Sequence, residues 1–431
     1  RARAARLEVH HSMIEGACAR LLGEFDAAIR AYAAVPLDVT DLSRWGLSDP
    51  GIVAVAVRGN LGTAEFWTGD LEAAEEHLLD AADPGDGPSA LPHLNASAHL
   101  ALLVAEHGDL DAAEGRARSV VAAAEAEGWS GAPQVAPAYL AIARVLLDRG
   151  EPGESDVWLG RLADVLEVAA EPHVLLAQSL VLAARRDAGG DTEGALAGLR
   201  AATVRLERWT TPPRPLAEQA LLGEADLLAR AGDAEAARAL ARRLGPPSTA
   251  GGLVLAARLR LRLEEPVDAA ALVEAAAGRR PRTRTCARIV AALAATAGGD
   301  DDGALEHLEG ALLAAAPFGL RGPFLAEPEL ALPLARLVER GTAAPAFVLD
   351  LIGRMSGADP GAAGRQVVEP LTERERTMLR YLASALSNAE IAAELYVSVS
   401  TVKTHQRSVY RKLGATGRRD AVRRARALAL L

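Results

Sequence analysis

The sequence predicts an all-α protein, in which a long array of helical hairpins, an α-solenoid, is followed by a small four-helix domain. Half of the 431 residues are apolar but only 3% are aromatic, so Ala, Leu and Val must build the core. Ala and Leu favour helices, whereas strands prefer aromatic and β-branched residues. A turn motif also recurs about every 40 residues, and three helix-capping patterns follow one another after residue 370.

The recurring turn consists of Gly, then Asp or Glu, then an acidic residue at +3 and Ala at +5. Copies begin at eight places, those at Gly150 and Glu264 being degenerate: Gly23, Gly69, Gly108, Gly150, Gly190, Gly232, Glu264 and Gly299. Gly can close a helix in the left-handed conformation, and the following Asp can cap the next helix. An acidic residue in the first turn suits the helix dipole, and a small Ala lets two helices cross closely. Each copy therefore predicts helix, tight turn, helix.

About eight hairpins at this spacing predict a solenoid rather than a plain helical bundle. The aromatic positions Phe25, Tyr32 and Trp67 beside the turn glycines resemble those of tetratricopeptide repeats. That resemblance implies a tetratricopeptide-like α-solenoid over residues 1–352. Solenoids usually bind peptides, proteins or small ligands, so we expect this part to receive an unidentified small-molecule or protein effector.

Gly, Ala and Pro are frequent after residue 352, which predicts a flexible linker over 353–368. Two capping boxes follow, Thr372-x-x-Glu375 and Ser387-x-x-Glu390, and then Ser398 or Ser400 can cap a third helix that runs to about Leu413. The inward positions predicted for these helices are Met378, Leu379, Leu382, Leu386, Ile391, Ala392, Leu395, Val402, Val409 and Leu413. A short helix, a brief turn and a longer helix with a basic outer face predict a helix-turn-helix.

The charge is distributed unevenly along the chain. Residues 365–431 contain 13 Arg and Lys against 6 Asp and Glu, whereas the rest contains 34 against 51. A basic module behind an acidic one favours a nucleic-acid partner for the tail, although a solvated basic helix explains the charge alone equally well.

Several spaced motifs make the tail resemble the DNA-binding domain of LuxR-family transcriptional regulators. They are Leu371-Thr372-Glu373-Arg374-Glu375, Leu386-Ser387-Asn388-Ala389-Glu390-Ile391-Ala392, Ser400-Thr401-Val402-Lys403-Thr404-His405 and Arg411-Lys412-Leu413-Gly414-Ala415. The resemblance covers 369–431 and departs at Ala385, where the family usually has Gly. Together with the repeats it resembles the large, maltose-regulator-like members, which also carry an upstream nucleotide-binding domain. No phosphate loop occurs in this sequence, so we expect that domain to be absent or removed.

The resemblance implies specific roles in the third helix. Lys403, Thr404 and Arg407 would face base edges of promoter DNA, opposite the predicted buried side. Residues predicted to contact DNA phosphates are Ser398, Ser400, Thr401, His405, Arg411 and Lys412; for His405 a packing role is equally plausible. An apolar strip on a fourth helix would pair two copies on DNA: Ala421, Val422, Ala425 and Leu428. Val422 could instead pack inside its own domain. RNA polymerase is an expected further partner.

Other classes of function find little support. Lysine occurs only at Lys403 and Lys412, so no Walker-type loop exists, and no catalytic pair of carboxylates or nucleophile motif stands out. The two cysteines predict neither a disulfide scaffold nor a metal site and suit a cytoplasmic protein. No apolar run reaches the roughly 18 residues of a membrane span. We therefore expect no enzyme activity, cofactor or metal. The alternative is a protein-interaction scaffold whose basic C-terminal module caps the repeats.

Overall fold

The computed structural model describes residues 2–36, 49–84, 90–168, 171–207, 209, 211–356, 373–383, 386–395, 398–413 and 418. These residues form α-helices and turns and contain no strand. The first eight helices are α1 (Ala2–Leu22), α2 (Phe25–Ala33), α3 (Pro50–Thr68), α4 (Leu71–Ala82), α5 (Leu91–His107), α6 (Leu110–Ala126), α7 (Ala136–Arg149) and α8 (Pro152–Val168).

The array continues with α9 (Pro172–Ala188), α10 (Thr192–Leu206), α11 (Arg214–Arg230), α12 (Ala234–Leu244), α13 (Ala250–Arg262), α14 (Ala269–Ala276), α15 (Pro281–Ala297) and α16 (Asp301–Ala315). A short α17 (Gly322–Leu325) precedes the last pair, α18 (Ala331–Arg340) and α19 (Pro345–Met355). The C-terminal domain contains α20 (Glu373–Ala383), α21 (Asn388–Glu394) and α22 (Val399–Leu413). The eight predicted hairpins are the consecutive pairs from α1–α2 to α15–α16.

The hairpin turns have the predicted geometry. All seven glycines of the motif have positive φ, for example +96° at Gly69 and +92° at Gly108. The following aspartates cap the next helices: Asp109 accepts from the backbone N–H of Ala112 at 3.2 Å, and the aspartates of four other copies do the same. Glu264 replaces Gly in one copy and still has a φ of 58°. The turn is thus imposed by the packing of the hairpins even where the residue disfavours it.

Small residues let the two helices of a hairpin touch. The motif alanines at +5 are buried: Ala28, Ala74, Ala113, Ala195, Ala237 and Ala304. The first five belong to two large apolar clusters, one reaching from Val9 to Leu263 and the other from Ala105 to Ile352. Because each hairpin contributes to the same continuous cores, a single hairpin would not be stable alone.

The array coils so that its first half meets its second half. The turn after α3 meets the start of α11, since a Cβ on Gly69 would lie 3.0 Å from Pro215. The turn after α7 meets α17 and α19, where Arg354 donates to the carbonyl of Gly150 at 2.9 Å. The carboxyl end of α3 therefore faces the amino end of α11, and the carboxyl end of α7 faces the Arg354 guanidinium. Both contacts are favoured by the helix dipole, which is negative at the carboxyl end of a helix.

The last helix of the array, α19, includes Gly353 and ends at Met355, three residues beyond the predicted boundary at 352. The remainder of the predicted linker lies outside the described residues. In the C-terminal domain, seven predicted inward positions form the buried cluster, Met378, Leu379, Leu382, Ile391, Ala392, Val402 and Val409, and Leu386 and Leu395 pack against it. None of the helices in the described ranges is long and apolar enough to cross a membrane.

Candidate nucleic-acid interface and effector cavity

Side-chain caps mark the starts of α21 and α22. Ser387 and Glu390 form the predicted box at the start of α21: the N–H of Ser387 donates to Glu390 at 2.7 Å, and the N–H of Glu390 donates to the Ser387 hydroxyl at 3.3 Å. Ser398 caps α22, because its hydroxyl accepts from the N–H of Thr401 at 3.1 Å. A seven-residue helix, a short turn and a 15-residue helix thus follow one another, as in a helix-turn-helix.

A pair of amides fixes α22 against α21. Asn388 Nδ2 donates to Gln406 Oε1 at 3.2 Å, and Gln406 Nε2 donates to Asn388 Oδ1 at 3.0 Å. Gln406 is buried, so both of its polar groups depend on this partner. Sequence reasoning missed the pair, since its members are separated by 18 residues and neither belongs to a local capping pattern.

A buried ion pair holds α22 against α20 and bears on the expectation for Lys412. Lys412 Nζ lies 2.8 Å from Glu375 Oε2, with 9% and 7% of the two side chains exposed. The other Glu375 oxygen accepts from the Ser408 hydroxyl at 2.7 Å. Lys412 therefore faces the domain core and not a DNA phosphate. Glu375 thus joins α20 to α22, and Thr372, its predicted partner in a capping box, lies outside the described residues.

The predicted base-reading residues all belong to α22. Lys403 is exposed, as a residue that reaches DNA must be. Thr404 and Arg407 are part of the helix, but their side chains lie outside the described part of the structure. The buried Val402 and Val409 define the opposite side of the helix.

The predicted phosphate contacts occupy the start and one flank of α22. Ser398 is exposed, Thr401 and His405 are half-buried, and Thr401 Oγ1 lies 2.7 Å from Ser398 Oγ. Both hydroxyls therefore sit at the amino end of the helix, where backbone N–H groups also favour anions. The side chains of Ser400 and Arg411 are not among those described.

The predicted pairing strip follows the last described residue of the chain. Ala421, Val422, Ala425 and Leu428 lie outside the described residues. Arg418, just before them, donates to the carbonyls of Leu382 at 2.9 Å and Tyr381 at 3.2 Å. This guanidinium satisfies carbonyls at the carboxyl end of α20 and ties the start of the fourth predicted helix to the domain.

A cavity of about 1520 Å³ lies inside the coiled repeats. Its walls come mainly from the first helix of each hairpin. Apolar side chains that line it include Leu102, Leu140, Leu180, Val181, Leu227 and Val254. Ligand pockets usually have about 300–1,000 Å³, so the cavity has room for a small molecule or part of a peptide. The sequence did not reveal it, because its wall joins residues from distant repeats.

Several charged side chains that line the cavity form ion pairs. Asp148 is bonded to Arg282 on the facing α15 and lies 3.3 Å from Arg144 on its own helix. On the other side, Arg258 bonds Asp226 at 3.0 Å and approaches Glu327. Burial works against the charge of Arg282, but Asp148 outweighs it and raises the pKa of that guanidinium. The Arg282 guanidinium is therefore charged, and its ion pair with Asp148 balances that charge.

An aromatic and histidine cluster packs around Trp67, which lines the cavity. The Trp67 ring lies 5.0 Å from His173 and 6.3 Å from His99, centre to centre. Burial lowers the pKa of His99 to about 4. Burial alone would raise the pKa of Glu171 next to it, but bonds from His173 and Arg20 hold that pKa at about 2. Neutral imidazole and a paired carboxylate are thus the forms present at neutral pH.

Cys286 is a half-buried thiol of the cavity wall. Burial raises the pKa of the Cys286 thiol, and the neighbouring Arg282 only partly offsets this. Within the described ranges, no three His, Cys, Asp or Glu side chains are grouped as metal ligands.

Comparison with known families identifies the C-terminal domain. Residues 369–425 match the GerE family model, described as bacterial regulatory proteins of the luxR family. This match begins at the first residue predicted for the domain and includes α20, α21 and α22. The chain thus carries a LuxR-type helix-turn-helix behind its helical repeats.

A solved structure is similar to a larger part of the chain. Its title is "Crystal Structure of Rap Protein Complexed with Competence and Sporulation Factor". The similarity covers 76% of this chain and 99% of that one, at 13% sequence identity and a TM-score of 0.41.

Proposed function

We propose that the protein is a DNA-binding transcriptional regulator whose helical repeats receive an effector and whose C-terminal domain binds promoter DNA. The LuxR-family match of residues 369–425 is the observation that carries this proposal. The geometry of α20–α22 supports it, because the caps and buried pairs hold α22 as a rigid helix with Lys403 exposed. A location in the cytoplasm and contact with RNA polymerase are parts of the same proposal.

Within this proposal, Lys403, Thr404 and Arg407 read bases, and Ser398, Ser400, Thr401, His405 and Arg411 contact phosphates. Basic side chains that pair with guanine discriminate by about 1–3 kcal/mol, whereas phosphate contacts set affinity and register. Lys412 is left out of this set because of its buried pair with Glu375. On DNA, two copies would pair through Ala421, Val422, Ala425 and Leu428.

Binding to the DNA upstream of its own gene is the direct test. Footprinting with the full chain should reveal a protected operator. Arg407→Ala should lose discrimination between operator and random DNA, while Arg411→Ala should weaken both and lower the log–log salt slope by about 0.9. Arg380→Ala, which removes an exposed charge from α20, is the matched control. Absence of any DNA binding by the folded chain would favour a protein-interaction scaffold instead.

The effector site is assigned to the cavity of the repeats. Its mixture of apolar walls and paired charges suits a ligand that is partly apolar and partly polar. Cys286 lines this cavity, so its alkylation rate can report a bound ligand. Cys18 is exposed on α1, outside the cavity, and serves as the internal reference. A ligand that fills the cavity should slow alkylation of Cys286 and leave that of Cys18 unchanged. Equal protection of both thiols would argue against the cavity.

A further inference from the structure

The last helix of the repeats forms part of the cavity wall. Arg354 and Met355, in the final turn of α19, line the cavity together with Gly322 and Leu325 of α17. Among the described helices, α19 is also the one that directly precedes α20 of the C-terminal domain. One helix is therefore both a wall of the candidate effector cavity and the last described helix before the DNA-binding domain.

An ion-pair network holds the final turn of α19 on the turn after α7. Arg354 donates to the carbonyl of Gly150 at 2.9 Å, and only 15% of its side chain is exposed. Asp350, one turn earlier in α19, accepts from Arg354 Nε at 3.1 Å and also pairs with Arg321. Asp350 itself lies outside the cavity wall. Its carboxylate therefore orients both guanidinium groups without contacting a ligand in the cavity.

The same turn after α7 reaches the cavity through Asp148. The Asp148 carboxylate pairs with Arg282, and its backbone carbonyl accepts from the N–H of Arg321 at 2.8 Å. Gly322 packs so closely that a Cβ there would lie 2.9 Å from the Asp148 Cα. Close packing transmits displacement, so a shift of Asp148 must move Arg321 and, with it, Asp350. The ion pair in the cavity and the network on α19 thus meet at one short piece of backbone.

The final turn of α19 is held mainly by these polar contacts. The earlier turns contribute Val348, Leu351 and Ile352 to a buried apolar cluster. By contrast, Met355 is only half-buried, and nothing lies within 4 Å of a Cβ on Gly353. Helix ends with few apolar contacts open locally at low free-energy cost. The final turn can therefore release while the rest of α19 stays packed.

We propose that the final turn of α19 is the output element of the effector cavity. It has a closed form, in which Arg354 binds the Gly150 carbonyl, and a released form, in which this bond is broken. An effector that takes Arg282 from Asp148 favours the released form, because a ligand shifts an equilibrium toward the form that it binds better. The inference rests on the proposed function, since it assigns the regulation of that same cavity.

Asp350→Asn tests the coupling without altering the cavity wall. Loss of the carboxylate charge leaves Arg321 and Arg354 without their shared partner, so the final turn should release and the cavity should open. Iodoacetamide should then alkylate Cys286 faster, measured relative to the exposed Cys18 of the same chain. We expect an acceleration of about fivefold or more, because allosteric coupling usually reaches at least this factor.

Two control variants separate release of α19 from loss of charge and loss of stability. Asp302→Asn removes the same charge from an exposed pair with Arg340, and Gly232→Ala strains the turn of another hairpin. Both should alkylate Cys286 at the wild-type rate. An Asp350→Asn variant that reacts like the wild type would overturn the proposal, and so would an equal acceleration in Gly232→Ala.

The reverse effect should also be measurable, because coupling free energies are reciprocal. N-ethylmaleimide on Cys286 adds a bulky group one helical turn from Arg282, and Cys18→Ser leaves this thiol as the single reactive site. Amide hydrogen exchange of residues 352–356 should become about fivefold faster, whereas that of α12 should not change. The same reagent on Cys18, in Cys286→Ser, should leave α19 unaffected. Unchanged exchange at 352–356 in the labelled chain would contradict the coupling.

DNA binding decides whether the released turn acts on the C-terminal domain. Asp350→Asn should shift the dissociation constant for the operator by about fivefold or more, whereas Asp302→Asn and Gly232→Ala should bind like the wild type. If alkylation of Cys286 reports the release but operator affinity stays the same, α19 is not the output element. If neither the wild type nor any variant binds DNA, the proposed function fails instead, and the alkylation result is independent of that failure.

Discussion

Gly108 lies against the backbone of Arg282, so closely that a Cβ on the glycine would be 3.0 Å from the Arg282 nitrogen. The glycine ends α5 and the arginine begins α15, far apart in the chain. Similar contacts join Gly23 to Trp209 and Gly69 to Pro215. The turn glycines thus serve twice: they close their own hairpins, and they let a later part of the array approach.

The first prediction separates these two roles. Gly108 and Gly232 have φ of 92° and 88°, but nothing lies within 4 Å of a Cβ on Gly232. Gly232→Ala should lower the free energy of unfolding by about 1–2 kcal/mol, because alanine disfavours the left-handed conformation. Gly108→Ala should cost roughly 1–3 kcal/mol more, because the contact with Arg282 must shift. Urea unfolding measures the free energy of unfolding of both variants. Equal losses would show that the close contact between Gly108 and α15 does not stabilise the fold.

The second prediction compares two ion pairs that join the halves of the array. The pair of Arg282 and Asp148 is buried, with 18% and 5% of the side chains exposed, whereas that of Arg280 and Glu75 has 55% and 27% exposed. Arg282→Ala should cost about 3 kcal/mol, because it leaves a buried carboxylate with only Arg144 beside it. Arg280→Ala should cost at most about 1 kcal/mol. A similar loss for both variants, again by urea unfolding, would contradict this ranking.

Local features of this fold were predictable from sequence, and long-range ones were not. The turn glycines and the box of Ser387 and Glu390 have their causes within a few residues, and the structure confirms them. Contacts such as Gly108 with Arg282 depend on how the whole array coils. Glu375 shows the same limit inside the candidate site: no local pattern indicated its ion pair with a lysine 37 residues away.

The third prediction concerns pH. His99 is buried, donates from Nδ1 to the Asn95 carbonyl at 2.9 Å, and has a pKa lowered to about 4 by burial. An unfolded histidine has a pKa of about 6.5, so between pH 6.5 and 4 the unfolded chain binds more protons at this site. The free energy of unfolding should therefore fall as the pH drops through this range. Glu171, with its pKa held at about 2, extends the loss below pH 4.5.

Replacing the histidine tests the assignment. His99→Gln should flatten the fall of the unfolding free energy between pH 6.5 and 4, measured by urea titrations at pH 7, 6 and 5. Part of the slope should remain, because burial also lowers the pKa of His173. His11→Gln, at a side chain that is 78% exposed, serves as the control and should leave the slope as it is. An unchanged slope in His99→Gln would contradict the prediction.

The last prediction concerns Lys412 of α22, which either stabilises the C-terminal domain or contacts a DNA phosphate. The chain has only two lysines, the exposed Lys403 and the buried Lys412. Lys412→Ala leaves the Glu375 carboxylate buried without its cation, which should destabilise the C-terminal domain by about 3 kcal/mol. Lys403→Ala should leave its stability unchanged and weaken DNA binding. Thermal unfolding and DNA titrations of both variants measure this contrast.

A double variant removes the ambiguity between lost folding and lost DNA contact. Replacing the pair with apolar residues of similar size, Lys412→Met with Glu375→Leu, should restore most of the stability, because no charge is left buried. If Lys412 acts only inside the domain, this variant should keep the wild-type salt slope of DNA binding. If the folded double variant shows a log–log slope lower by about 0.9, Lys412 contacts a phosphate after all, and the buried pair must open on DNA.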